Sequence, residues 1–242
     1  EQQDQLLIGT KIEYIYRRSY KAVYYVFDLK NKTLSLLADT NLGKQSFATF
    51  SPDGKKIAFV RENNLFIKDL ENNREIAITQ DGKFKEIING MADWVYEEEL
   101  DMAKAFEWSP DSRYRAYLRF DESRVKEFNM IMWGKLYPDE YHYKYPKAGE
   151  DNSLVTVHLY NIQTQSVKTI DMGDNSDCYI PRLYWLPNGK ELVKILAKGE
   201  LKAKVDVSRM GHPSFLMVLT GTDLGYTRKD GVIVCPLGCL KP

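Results

Sequence analysis

The chain lacks several features, and each absence removes a class of function. No apolar run comes near the roughly 20 residues that a membrane-crossing helix needs, so no membrane span is expected. No charge of one sign is in excess: Lys plus Arg count 34, Asp plus Glu count 34, and the formal net charge is zero. Proteins that grip nucleic acid or anionic lipid usually carry a basic surplus, so no nucleic-acid partner is expected. Cysteine is scarce, with Cys178, Cys235 and Cys239 making an odd count that leaves no complete disulfide framework. Cys235 and Cys239 could form a disulfide, half a metal site, or two unrelated thiols. No second ligand pair accompanies them, so neither metal nor cofactor is expected. The opening EQQDQLLIGTK has neither the basic start nor the apolar stretch of a signal peptide. It reads as a mature end left after processing or as a cytosolic start.

What is present is aromatic and repetitive. Tyrosine occurs 16 times, against three histidines. Aromatic and β-branched richness in short, turn-bounded segments points to an all-β architecture. Two patterns recur. The first is an aromatic residue, a Pro-centred turn and a strand: Phe50 in FSPDGKKIAFV, Trp108 in WSPDSRYRAYL and Trp185 in WLPNGKELVKI. The second is a strand ending in Asp or Asn, a polar turn and another strand, at 24–37, 64–78 and 155–170. Strand-only repeats joined by hairpins select a β-propeller, here a partial one built of four-stranded antiparallel blades. The spacing is uneven, so insertions are required. Residues 90–106 read as a short helix with Asp93 as N-cap, and residues 124–152, rich in aromatics and Pro, read as an extended arm. From about Ala197 the repeat breaks down, so the expected domains are a partial propeller over 1–193 and an atypical tail over 194–242.

The segment with chemical content is DWVYEEEL, Asp93 to Leu100. Three consecutive glutamates beside Trp94 and Tyr96 make a negative spot against apolar surface. Neighbouring helical residues point about 100° apart, so at most two of the three face one cavity. Two carboxylates aimed at one point suit an ammonium group with its three N–H donors, and a peptide α-amine is mostly protonated at neutral pH. The plainer alternative is a solvated helix start favoured by the helix dipole. A calcium site is a third alternative, without the expected Asp-rich loop.

In its motifs the chain resembles the dipeptidyl peptidase IV family. DWVYEEEL is nearly that family's signature. YRRSYKAVYYVFDL (16–29), FSPDGKKIAFVRENNLFIKDL (50–70), WSPDSRYRAYLRFDE (108–122), YPKAGEDN (145–152) and YIPRLYWLPNGKEL (179–192) match in the same order, over roughly residues 6–193. The resemblance implies that Glu98 and Glu99 bind the substrate's free amino terminus, with Arg17 supporting them and Arg18 as the alternative a one-residue slip would choose. It implies a structural place for Glu97, packing roles for Trp94 and Tyr96, and dimerisation through the arm at 124–151. His142 and His158 are expected to be surface or strand histidines. The family's catalytic Ser-Asp-His triad lies on a following α/β-hydrolase domain whose serine sits in a Gly-x-Ser-x-Gly elbow. That elbow is missing here: Ser208 lies in VSRMG and Ser214, near His212, in HPSFL. No catalytic residue, no hydrolysis by this chain alone and an incomplete propeller are therefore expected. The resemblance also implies an exported exopeptidase releasing Xaa-Pro or Xaa-Ala dipeptides. A non-catalytic scaffold, or a relative releasing tripeptides, are the alternatives.

Overall fold

A computed structural model of the protein describes residues 4–172 and 178–186, with the strand backbones 192–197, 216–220, 226–227 and 232–236. The chain divides into two compact units, residues 1–196 and 197–242.

The first unit is built of antiparallel sheets. Strands β1 (Gln5–Tyr14), β2 (Tyr20–Asp28) and β3 (Thr33–Leu36) form the first, in that order. Strands β4 (Ser46–Phe50), β5 (Lys56–Arg61), β6 (Asn64–Asp69) and β7 (Glu75–Ala77) form a four-stranded meander. Next in the chain come β8 (Ile87–Asn89), helix α1 (Trp94–Leu100), β9 (Phe106–Trp108) and β10 (Tyr114–Asp121). They are followed by β11 (Glu127–Met132), β12 (Asp139–Lys144), β13 (Leu154–Asn161) and β14 (Ser166–Thr169). Strand β10 is central to the third sheet. It pairs with β13 along one side and with both β8 and β9 along the other. The edge strand of this blade is thus one strand cut in two, with α1 inserted at the cut. Strands β15 (Tyr179–Trp185) and β16 (Leu192–Ala197) pair with each other.

The two sequence patterns correspond to two recurring pieces of structure. In the Pro-centred turns, Ser51 Oγ donates to Asp53 and Ser109 Oγ to Asp111, both at 2.6 Å. The fourth turn residue takes a left-handed conformation, Gly54 at φ 71° and Ser112 at φ 58°. The third copy of this turn, at 187–190, lies outside the described residues. The hairpins β2–β3, β6–β7 and β13–β14 share a different device. Their closing Asp28, Asp69 and Asn161 each accept backbone amides of the turn. The residue four positions on, Lys32, Asn73 or Gln165, is left-handed at φ 53–56°. A short polar side chain that satisfies turn amides explains why Asp and Asn recur there.

The sheets stack face to face. Strand β5 is apolar on both faces because it lies between two neighbours. Ile57 and Phe59 join Ala22, Tyr24 and Val26 of the first sheet and Leu37 just after it, while Ala58 and Val60 join Leu118, Phe120 and Val157 of the third. Alternation with period two sends successive side chains to opposite layers. Trp108 spans the second layer, its indole N–H donating to the Thr49 carbonyl at 3.3 Å. This is a nearly all-β architecture of stacked propeller blades, with a helical insertion and an arm.

The arm is a two-stranded hairpin, Glu127 to Met132 against Asp139 to Lys144. Its aromatic and Met residues Met130, Met132, Trp133, Tyr137 and Tyr141 are exposed. In the second unit, β17 (Leu216–Thr220), β18 (Tyr226–Thr227) and β19 (Val232–Pro236) form a three-stranded sheet. Its β17–β19 pairing is parallel, unlike the repeat's hairpins. Cys235 lies on β19; Cys239, Ser208, His212 and Ser214 lie outside the described residues.

Candidate functional site

Helix α1 is short, and its ends are fixed by specific bonds. Asp93 is the N-cap, accepting from the Tyr96 amide at 2.9 Å and from Ser153 Oγ at 2.6 Å. Burial raises the pKa of its carboxyl. At the other end Asp101 turns left-handed, φ 56° and ψ 40°, and ends the helix. Arg182 on β15 donates to the Leu100 carbonyl at 2.6 Å.

The rotation of the helix is set by its aromatic residues. Tyr96 is buried, edge-on to Phe120 at 4.8 Å, and its hydroxyl accepts from the Ile180 amide at 2.8 Å. Trp94 meets Tyr143 and Tyr145 of the arm segment at 5.9 and 4.6 Å. With Tyr96 facing inward, the three glutamates that follow go to three environments.

Glu97 is fully buried at 0% exposure. One carboxylate oxygen accepts from the backbone amides of Arg18 and Ser19, at 2.6 and 2.8 Å. The Glu97 carbonyl accepts from the Arg18 guanidinium at 2.6 Å, and Arg18 reaches Asp101 at 2.8 Å. Glu97 and Arg18 thus lace the β1–β2 loop to the helix. That loop is closed by the Ile15 amide donating to the Ser19 carbonyl at 2.8 Å.

Glu98 sits one step round the helix, its side chain 12% exposed and 3.2 Å from the Nε of Arg17, whose side chain is 72% exposed. Glu99 is exposed. The structure therefore brings Arg17 to Glu98 across the two segments. It leaves Glu99 open on the same helix, and gives the neighbouring Arg18 to Glu97 and Asp101. A mostly buried carboxylate with a second one beside it can accept hydrogen bonds from a cation, and Arg17 adds a donor to solvent. Among the described residues no group of three His, Cys, Asp or Glu is placed to hold a metal ion.

The histidines lie elsewhere. His158, on β13, stacks on Tyr117 at 5.1 Å, and its ring nitrogens meet Thr156 and Thr169 at 2.8 and 3.1 Å. Burial lowers its pKa. His142, on the arm, is 3.2 Å from Glu140. The lacing role of Arg18 had no separate signal in the sequence. A buried member of an acidic triplet looks like its neighbours until the helix is docked.

The family model described as "Dipeptidyl peptidase IV (DPP IV) N-terminal region" matches residues 1–214. The chain belongs to the dipeptidyl peptidase IV family. Relatives include a probable dipeptidyl-aminopeptidase B of Aspergillus terreus, 32% identical over 92% of this chain and 26% of its own length. A dipeptidyl peptidase 4 of Trichophyton rubrum is 36% identical over 74% of this chain and 24% of its own. The crystal structure of the Porphyromonas gingivalis dipeptidyl peptidase 4 shares 43% identity, with a TM-score of 0.75 over 80% of this chain and 28% of that one. The chain thus spans about a quarter of the length of the family members it matches.

Proposed function

We propose that this N-terminal region selects peptides by their free amino terminus. Glu98 and Glu99 receive the α-ammonium, and Arg17 steadies Glu98 and faces the first peptide carbonyl. The observation that carries the reading is the Arg17–Glu98 contact at 3.2 Å, made by two segments that Glu97 and Arg18 hold together. An ammonium fixed at this point acts as the zero of a ruler. Two residues fit between the anchor and a serine nucleophile supplied outside these 242 residues, so dipeptides ending in Pro or Ala are released. Internal peptide bonds present no amine to pair. Export, and pairing of two copies through the exposed arm, belong to the same proposal. The apolar residues on the arm, Met130, Met132 and Trp133, suit a buried interface.

The test is a titration of Ala-Pro amide against its N-acetylated twin. Preference for the free amine is expected. Loss of one carboxylate from a desolvated charge pair costs ~2–5 kcal/mol, about 30- to 4,000-fold in affinity. Glu98→Gln should fall in that range. Glu99→Gln starts from an exposed side chain and should cost less, on the order of 1 kcal/mol. Equal binding of the two peptides would instead favour a scaffold that recognises protein partners.

A further inference from the structure

Beside the helix lies a cavity of about 220 Å³ that the amino-terminal clamp does not use. A cavity of roughly 150 Å³ is enough to admit benzene. Its apolar wall is formed by Val60, Ile88 and Met91, and its aromatic wall by Tyr16, Tyr141 and Tyr143. Into it faces Glu122, 5% exposed. Among the described residues its carboxylate receives no hydrogen bond, although its backbone amide donates to Glu86 and its carbonyl accepts from Val125.

The basic residues around the cavity are engaged with other partners. Lys44 is held by Glu13 and the Lys11 carbonyl, Lys21 by Glu13, and Arg61 by Glu75. Lys85 meets Glu127 at 2.7 Å, Lys144 donates to the Val125 carbonyl at 2.7 Å, and His142 meets Glu140. Among the described residues none of these cations forms an ion pair with the Glu122 carboxylate. A buried carboxylate without hydrogen-bond donors is costly, and an ammonium that enters relieves that cost. Tyrosine faces add attraction for a cation.

The geometry points to a second amine site: a pocket for a compact primary amine with an apolar body of about ten heavy atoms, its ammonium on Glu122. Burial pushes the Glu122 carboxyl up to about 7, the behaviour of a carboxylate short of partners. The cavity also touches Ile15 and Tyr16, just before Arg17, and Met91 and Ala92, just before the helix cap. An occupant would therefore contact the segments that carry both halves of the clamp.

The probe is 2-phenylethylamine, titrated by calorimetry into the whole chain at pH 8, with 2-phenylethanol as its neutral twin. The amine is expected to bind at least about tenfold more tightly than the alcohol, the size of one charge-assisted hydrogen bond. Its ring protons should show nuclear Overhauser contacts to the Met91 methyl. Glu122→Gln, which keeps the side-chain shape and removes only the charge, should weaken the amine about tenfold with an unchanged circular dichroism spectrum. Glu98→Gln should leave it unaltered while weakening Ala-Pro amide, which separates this site from the clamp. No amine binding, equal binding of the alcohol, full affinity in Glu122→Gln, or loss in Glu98→Gln would each overturn the assignment.

Discussion

Arg115, on β10, is the largest fully buried side chain of the described residues, at 0% exposure. Its guanidinium lies between two rings, 3.8 Å from the centre of Phe106 and 4.2 Å from that of Trp108. None of its three nitrogens has a hydrogen-bond partner among the described residues. Burial pulls its pKa down; an arginine guanidinium is not deprotonated in proteins, so the side chain carries its charge into the core. Two desolvated cation–π contacts return up to about 2 kcal/mol each. Taking an ion out of water costs several kcal/mol, and five unused donors add to that. The balance is unfavourable, so Arg115→Met, which keeps the stem length and the ring contacts, should stabilise the protein. Exchanging buried ionic groups for apolar ones of similar volume has gained about 1–4 kcal/mol elsewhere. At roughly 2–4 °C per kcal/mol for a chain of this size, the melting temperature should rise by about 2–16 °C. Urea unfolding followed by tryptophan fluorescence and by circular dichroism gives the free energy directly, with Trp108 reporting from the stack itself. Arg115→Lys should be less stable than wild type, because an ammonium loses the planar stacking on both rings. A less stable Arg115→Met with an unchanged denaturant slope would show instead that the charged guanidinium stabilises the fold through a partner.

Glu97→Ala should release the 17–19 loop and weaken free-amine peptides about as much as Glu98→Gln, although Glu97 touches no ligand. Glu97→Gln keeps an oxygen acceptor for the Arg18 and Ser19 amides and should restore most of the binding, as competition with Ala-Pro amide will read. Glu122 gives a pH dependence with a defined sign. Its folded-state carboxyl titrates at about 7, above the ordinary glutamate value, so the native state holds a proton that the unfolded chain has lost. Between about pH 4.5 and 7 wild-type stability should therefore fall, by up to about 3 kcal/mol from this group, relative to Glu122→Gln. Chemical denaturation of both proteins at pH 5 and pH 8 measures that difference. A constant gap between them would contradict it.

Much of the fold was legible in the sequence, because the signals concerned act over a few residues. An Asp or Asn at a strand end satisfies its own turn, and a Pro followed by Asp and Gly or Ser reverses the chain; both recur along the sequence. Asp93 announces the helix, since a cap bonds to an amide only three positions away. The acidic triplet was equally visible. The family resemblance set Glu97 apart as structural and put Arg17 with Glu98 and Glu99, but the division into a lacing Glu97, a paired Glu98 and an open Glu99 needed the folded chain. That division follows from docking Tyr96 against Phe120 and Ile180, the latter 84 positions along the chain. The stranded charge of Arg115 and the unpaired carboxylate of Glu122 gave no signal in the sequence either. Whether a charged side chain meets water, a partner or an aromatic wall depends on which sheets stack upon it, and stacking is settled only when distant strands assemble.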